Sequence, residues 1–131
     1  MKRRCFIKGA CTIGAATTSA CAAPLAHISP RQEGNLLVVS HTELLQKTAI
    51  SIAHDPFPIG LYEVDTDSYV ASKLECTHQS CQLALLESGY VCPCHGSRFS
   101  EKGDVLKGPA ETRLENYRVT IDESKIYIHL K

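Results

Sequence analysis

Cys76-Thr77-His78-Gln79-Ser80-Cys81 and Cys92-Pro93-Cys94-His95-Gly96-Ser97 are two short blocks that each carry thiols and an imidazole. Together they place four cysteines and two histidines within twenty residues. Thiolate and imidazole are the soft and borderline donors that hold zinc and iron–sulfur centres. A set this dense is a metal-ligand pattern rather than core packing. Residues 69–74 are strand-like and deliver the chain into Cys76, and Tyr90-Val91 delivers it into Cys92. Each block therefore leaves from a strand end, which gives a site rigid support.

Outward from the blocks the chain reads as short strands. Residues 36–39 and 49–53 are apolar runs of strand length. Residues 59–64 pair naturally with 69–74 around the turn residues Asp65-Thr66-Asp67-Ser68. Residues 83–86 and 90–91 predict a hairpin around Ser88-Gly89. Tyr117, Val119 and Ile121 alternate, Asp122-Glu123-Ser124 turns, and Ile126, Ile128 and Leu130 alternate again, which predicts a last hairpin with one buried face. Ser40-His41-Thr42-Glu43 has the capping-box form and predicts a turn or two of helix through Leu44 and Leu45 to Lys47. Gly103, Gly108 and Pro109 mark a loop-rich stretch, and His41, His54 and His129 read as exposed. There are no internal repeats. Many short strands separated by turn signals predict a small all-β antiparallel sandwich or barrel.

The two blocks resemble the cluster-binding boxes of the Rieske iron–sulfur proteins, C-T-H-x-x-C and C-P-C-H-G-S. The resemblance covers roughly residues 35–131 and is strongest over 76–110. It implies antiparallel sheets with a smaller cluster-binding subdomain at one end. It also implies one [2Fe–2S] cluster, with two cysteines on one iron and two histidines on the other. Carried over residue by residue, the ligands are Cys76, His78, Cys92 and His95, so that each block gives one sulfur and one nitrogen. In the family the remaining pair, here Cys81 and Cys94, forms a disulfide that ties the two loops. Neutral imidazoles in place of two thiolates raise the potential, to roughly −150 to +300 mV. Without the resemblance, the same residues could hold structural zinc or form two disulfides in any of three pairings. Neither alternative accounts for both histidines together with Pro93 and Gly96-Ser97.

Several positions carry the resemblance further or depart from it. Gly108-Pro109-Ala110 matches the loop that covers the third side of the cluster in cytochrome bc-type members, where a second proline usually follows; here Glu111 follows. Ser97 matches the serine whose hydroxyl donates to a bridging sulfide. High-potential members have a tyrosine that donates to a ligand sulfur where this chain has Phe99. The bc-type subunits commonly have Leu-Gly, used in docking on cytochrome b, where this chain has Gln79-Ser80. These departures point away from quinol oxidation. They imply an exported electron carrier that passes one electron at a time between redox partners, such as a cytochrome c, a cytochrome b or a molybdenum subunit. The alternative is an iron–sulfur subunit of a periplasmic oxidoreductase, of the quinol–cytochrome c reductase or arsenite-oxidase-like kind. Oxygenase-type ferredoxins generally lack the extra cysteines. No catalytic residue of its own is read in the chain.

The first residues bear on location. Met1-Lys2-Arg3-Arg4-Cys5-Phe6-Ile7-Lys8 resembles a twin-arginine export signal. Small, weakly apolar residues follow, short of the ~20 strongly apolar residues of a membrane span. Ala20-Cys21-Ala22 has the small-x-small form of a cleavage site. Residues 1–22 thus read as a cleaved signal, 23–34 (with Pro24, Pro30, Gln32 and Gly34) as a linker, and 35–131 as the domain. An uncleaved anchor, or lipidation at Cys21, would instead give weak membrane attachment. Cleavage removes Cys5, Cys11 and Cys21, so of seven cysteines the four in the blocks remain, as an oxidising compartment favours. The expected place is the periplasm or the outer face of the membrane. The whole chain has 14 basic and 14 acidic residues, and the first 22 hold four basic residues and no acid. The rest therefore carries 14 − 4 = 10 basic and 14 acidic residues, a net of −4. That balance argues against nucleic acid as a partner and permits steering toward a basic protein.

Overall fold

The computed structural model describes residues 25–44 and 47–131. Residues 1–22, read above as an export signal and holding Cys5, Cys11 and Cys21, lie outside the described residues. Twelve strands are described: β1 (Ala26–Ile28), β2 (Arg31–Glu33), β3 (Leu36–Ser40), β4 (Ala49–Ile52), β5 (Ile59–Asp65), β6 (Ser68–Lys73), β7 (Ala84–Leu85), β8 (Tyr90–Val91), β9 (Arg98–Phe99), β10 (Val105–Lys107), β11 (Asn116–Ile121) and β12 (Lys125–His129). Eight form one sheet in the order β1-β4-β5-β6-β11-β12-β3-β2, and four form a smaller sheet, β10-β9-β8-β7. All pairings are antiparallel except β1 with β4.

The large sheet curls on itself. Val39 of β3, Ile50 and Ile52 of β4, and Ile126 and Ile128 of β12 share one buried core. β4 and β3 stand five places apart in the strand order. At about 4.8 Å per strand they meet only if the sheet closes toward a barrel. Strand β5 reads Ile59-Gly60-Leu61-Tyr62 and is buried on both faces. Ile59 and Leu61 enter the barrel core, while Tyr62 points to a second core under the small sheet. Side chains alternate faces along a strand. An unbroken apolar run is therefore what a strand between two cores requires.

Tyr62 and Tyr90 join the two sheets. Their rings meet edge to face at 5.2 Å. The Tyr62 hydroxyl donates to the Gly89 carbonyl at 2.6 Å, also faces the Leu86 carbonyl, and accepts the Gly89 N–H at 3.1 Å. Burial pushes the Tyr62 phenol well above its ordinary pKa. Gly60 makes room for the Tyr90 ring: a Cβ there would stand 2.6 Å from Tyr90 Cε1. Gly89, at φ +94°, has the Phe99 carbonyl where a side chain would go. Gly60 thus lets the small sheet lie close against β5, and Gly89 lets the turn before β8 lie close against β9 within the small sheet.

Most of the strand reading matches the structure, with four differences. Part of the stretch read as a linker carries β1 and β2. Ala26 and Ile28 are half-buried against the barrel core, while the polar Arg31-Gln32-Glu33 forms an exposed edge strand, a place where charged side chains discourage further pairing. Between residues 40 and 47 the described helix is a single 3-10 turn, His41–Glu43. Ser40 N–H donates to Glu43 Oε2 at 3.2 Å, and Leu44 caps the turn; residues 45–46 lie outside the described residues. β9 and β10 were not read as strands, being two and three residues long. His41, His54 and His129 are half-buried rather than exposed. They bond to the Tyr69 hydroxyl, the Phe57 carbonyl and the Thr120 hydroxyl at 2.9, 3.3 and 2.8 Å.

Candidate metal centre

Both blocks are loops with one hydrogen-bond frame. In the first, Cys76 N–H donates to the Cys81 carbonyl at 2.8 Å, and Ser80 N–H returns to the Cys76 carbonyl at 2.9 Å. In the second, Cys92 N–H donates to the Ser97 carbonyl at 2.8 Å, and Gly96 N–H returns to the Cys92 carbonyl at 2.9 Å. The fifth residue of each frame turns through positive φ, +53° at Ser80 and +79° at Gly96. The left-handed region costs a non-glycine residue roughly 1–2 kcal/mol. Serine at this point is a strained choice, and glycine is the unstrained one.

The loops face one another. The Cys76 and Cys92 thiols are free and buried, at 2% and 1% exposure. The imidazoles of His78 and His95 lie outside them, exposed, with ring centroids 4.9 Å apart and planes at 89°. Burial pushes the Cys92 thiol up. The N–H groups of His95 and Cys94, with the Cys76 thiol, outweigh it and hold the group below its ordinary value. Cys81 and Cys94 form the disulfide that the resemblance implied, across 13 positions with Cα atoms 6.5 Å apart. The sulfurs of Cys81, Cys92 and Cys94 lie within 4.8 Å of one another. Two of those three are bonded to each other, so the group is a disulfide packed on a free thiol rather than a three-sulfur site.

A third loop, following β10, is pinned to both blocks. Ala110 N–H donates to the fully buried Ser97 hydroxyl at 3.0 Å, which leaves that hydroxyl's own proton to donate elsewhere. Thr77 donates from Oγ1 to the Thr112 carbonyl at 2.5 Å. Phe99 is 1% exposed and packs in the same core as Cys76 and Cys92, and its ring has no donor to offer. Reading the sequence missed the tie between Thr77 and Thr112, which join over 35 positions. It also missed Lys73 and Glu75, an ion pair with side chains 20% and 26% exposed just before Cys76. Glu75 lies below its ordinary carboxylate value, chiefly because the Lys73 ammonium pairs with it. Opposite charges two apart in an extended run share a face, which was the available signal.

The chain matches the Rieske [2Fe-2S] domain family over residues 34–118. It is 30% identical over 94 residues to cytochrome b6-f complex iron-sulfur subunit 2 of Synechocystis sp., covering 70% of this chain and 52% of that one. It is 32% identical over 65 residues to the cytochrome b6-f complex iron-sulfur subunit of Chlorobaculum tepidum, covering 48% and 36%. The chain thus spans about half the length of the first relative and less of the second. The plasma membrane Rieske protein of Synechocystis superposes with a TM-score of 0.61 at 28% identity, over 68% of this chain and 93% of that chain. The ferredoxin of carbazole 1,9a-dioxygenase from Nocardioides aromaticivorans superposes at 0.56 and 23% identity, over 79% and 100%, and so shares the fold. With that match laid over two crosslinked loops of one hydrogen-bond frame, this chain is a member of the Rieske [2Fe-2S] domain family, whose cofactor is a [2Fe-2S] cluster.

Proposed function

We propose that this protein is an exported Rieske electron carrier, with Cys76 and Cys92 holding one iron of the cluster and His78 and His95 the other. One observation carries the ligand set: two buried free thiols stand behind two exposed imidazoles, on loops that each supply one of both. That donor set fits the cluster, because the family's sites use two cysteines and two histidines. The cluster supplies a one-electron couple. The chain's own residues do the rest. The buried thiols and the apolar core behind them exclude water from one side. The exposed imidazoles give the electron a short way out to a docked partner. The Cys81–Cys94 bridge and the Ser97–Ala110 bond hold three loops at fixed spacing through the redox change.

The carrier role is supported by the polar, exposed Gln79 and Ser80 beside His78, where bc-type subunits present leucine to a membrane partner. The disulfide favours this reading over an oxygenase-type ferredoxin and suits an oxidising compartment outside the cytoplasm. Among the described residues no helix is long and apolar enough to cross a membrane. Residues 1–22 would take the folded protein across by the twin-arginine route. The second reading, a subunit of a quinol–cytochrome c reductase or arsenite-oxidase-like complex, is supported by the similarity to cytochrome b6-f iron-sulfur subunits. Native purification separates the two. The carrier reading expects a lone small protein whose reduced form passes one electron per chain to a soluble cytochrome c. A large subunit that co-purifies in fixed ratio, and without which no electron passes, would establish the second.

A further inference from the structure

We propose that Lys73 and Glu75 form a charge-compensating pair that keeps the carboxylate beside Cys76 from depressing the reduction potential of the centre, an inference that rests on the ligand reading above. The Lys73 ammonium bonds directly to the Glu75 carboxylate, lies 4.0 Å from Glu115, and sits 5.4 Å above the Phe57 ring. Glu115 is itself paired with Lys131 at 2.6 Å. The four charges are balanced, and the aromatic face helps fix the lysine. Glu75 immediately precedes Cys76. Ser80, inside the first ligand loop, lines the same cavity as Glu75. Lys73, Glu75 and Cys76 line one cavity of about 360 Å³.

Reduction adds one negative charge to the centre. A carboxylate beside Cys76 opposes that charge, and an ammonium favours it. While the pair is intact the two effects nearly cancel. Removing either partner uncovers the other. Even at the dielectric of water, a unit charge within ~10 Å moves a one-electron equilibrium about twofold. At 59 mV per tenfold that is ~18 mV, and more where solvent is partly excluded.

The test is the potential of the cluster-loaded protein, measured in four variants beside the unaltered chain. Lys73→Gln should lower it and Glu75→Gln should raise it, each by about twofold or more in the exchange equilibrium. The double variant should return close to the starting value, and Lys73→Arg should leave it in place. Iron and sulfide content and the reduced EPR spectrum are recorded for each. Shifts of the same sign in both single variants, or none in either with the cluster intact, would overturn the proposal. So would loss of the cluster from Lys73→Gln, because the pair would then be holding the loop rather than balancing charge. Absence of mixed-ligand iron from the unaltered protein would overturn the ligand reading itself, and that is seen before any variant is compared.

Discussion

Phe99 is the residue on which the behaviour of this centre turns most simply. It is buried in the same core as Cys76 and Cys92, at the position where high-potential relatives by resemblance carry a tyrosine. Hydrogen bonds to the sulfurs stabilise the more negative reduced state and so raise the potential. Phe99→Tyr should raise the potential, and Ser97→Ala, which removes the one hydroxyl proton still free to donate, should lower it. Protein-film voltammetry on both variants checks this. An unchanged potential in an intact Phe99→Tyr protein would show that the ring points away from the sulfur. The residues proposed as ligands stand out in the sequence because thiol and imidazole at fixed spacing have few other uses. Ser80 does not: its positive φ follows from a hydrogen-bond frame shared with the second loop, and only Gly96 advertises that conformation in its residue type.

The loops and short strands explain what could and could not be read from pattern. β11 and β12 were legible because their apolar residues alternate, and β5 and β6 because apolar runs of strand length flank the turn residues 65–68. β9 and β10 have two and three residues, too few for any period, and exist because β8 gives β9 an edge to pair with and β9 in turn gives one to β10. β1 and β2 were hidden by proline and polar composition; neighbours rather than propensity make them strands. The disulfide is the element whose removal tests the architecture most cleanly. It closes a loop across 13 positions, worth about 3 kcal/mol in the chain-entropy model. Changing Cys81 and Cys94 together to serine should reduce stability by roughly that amount and release iron at lower temperature. Thermal melts followed at the cluster's visible absorption would show it. Unchanged melting would mean that the Ser97–Ala110 and Thr77–Thr112 bonds hold the loops unaided.

Charge across the fold is uneven. Glu43, Glu63, Asp65, Asp67, Asp122 and Glu123 lie at the strand ends and turns remote from the ligand loops, with Lys47 and Lys125 among them, 6 − 2 = 4 in acidic excess. That equals the whole net of −4 expected after export, so the charges of the remaining residues sum to zero. The proposed export would concern the chain as a unit, because the twin-arginine route carries folded proteins and would let the cluster enter first. Replacing Arg3 and Arg4 by lysine should leave cluster-loaded protein in the cytoplasm. Cell fractionation with an iron assay reads the outcome, and continued export of the loaded variant would show that residues 1–22 are not such a signal. The central claim is mixed ligation by Cys76, Cys92, His78 and His95, and metal analysis with EPR of the dithionite-reduced native protein tests it most directly. The account predicts two irons and two acid-labile sulfides per chain, with the low average g-value of a cluster ligated by two imidazoles. One zinc without iron, or an average g-value typical of four thiolates, would contradict it.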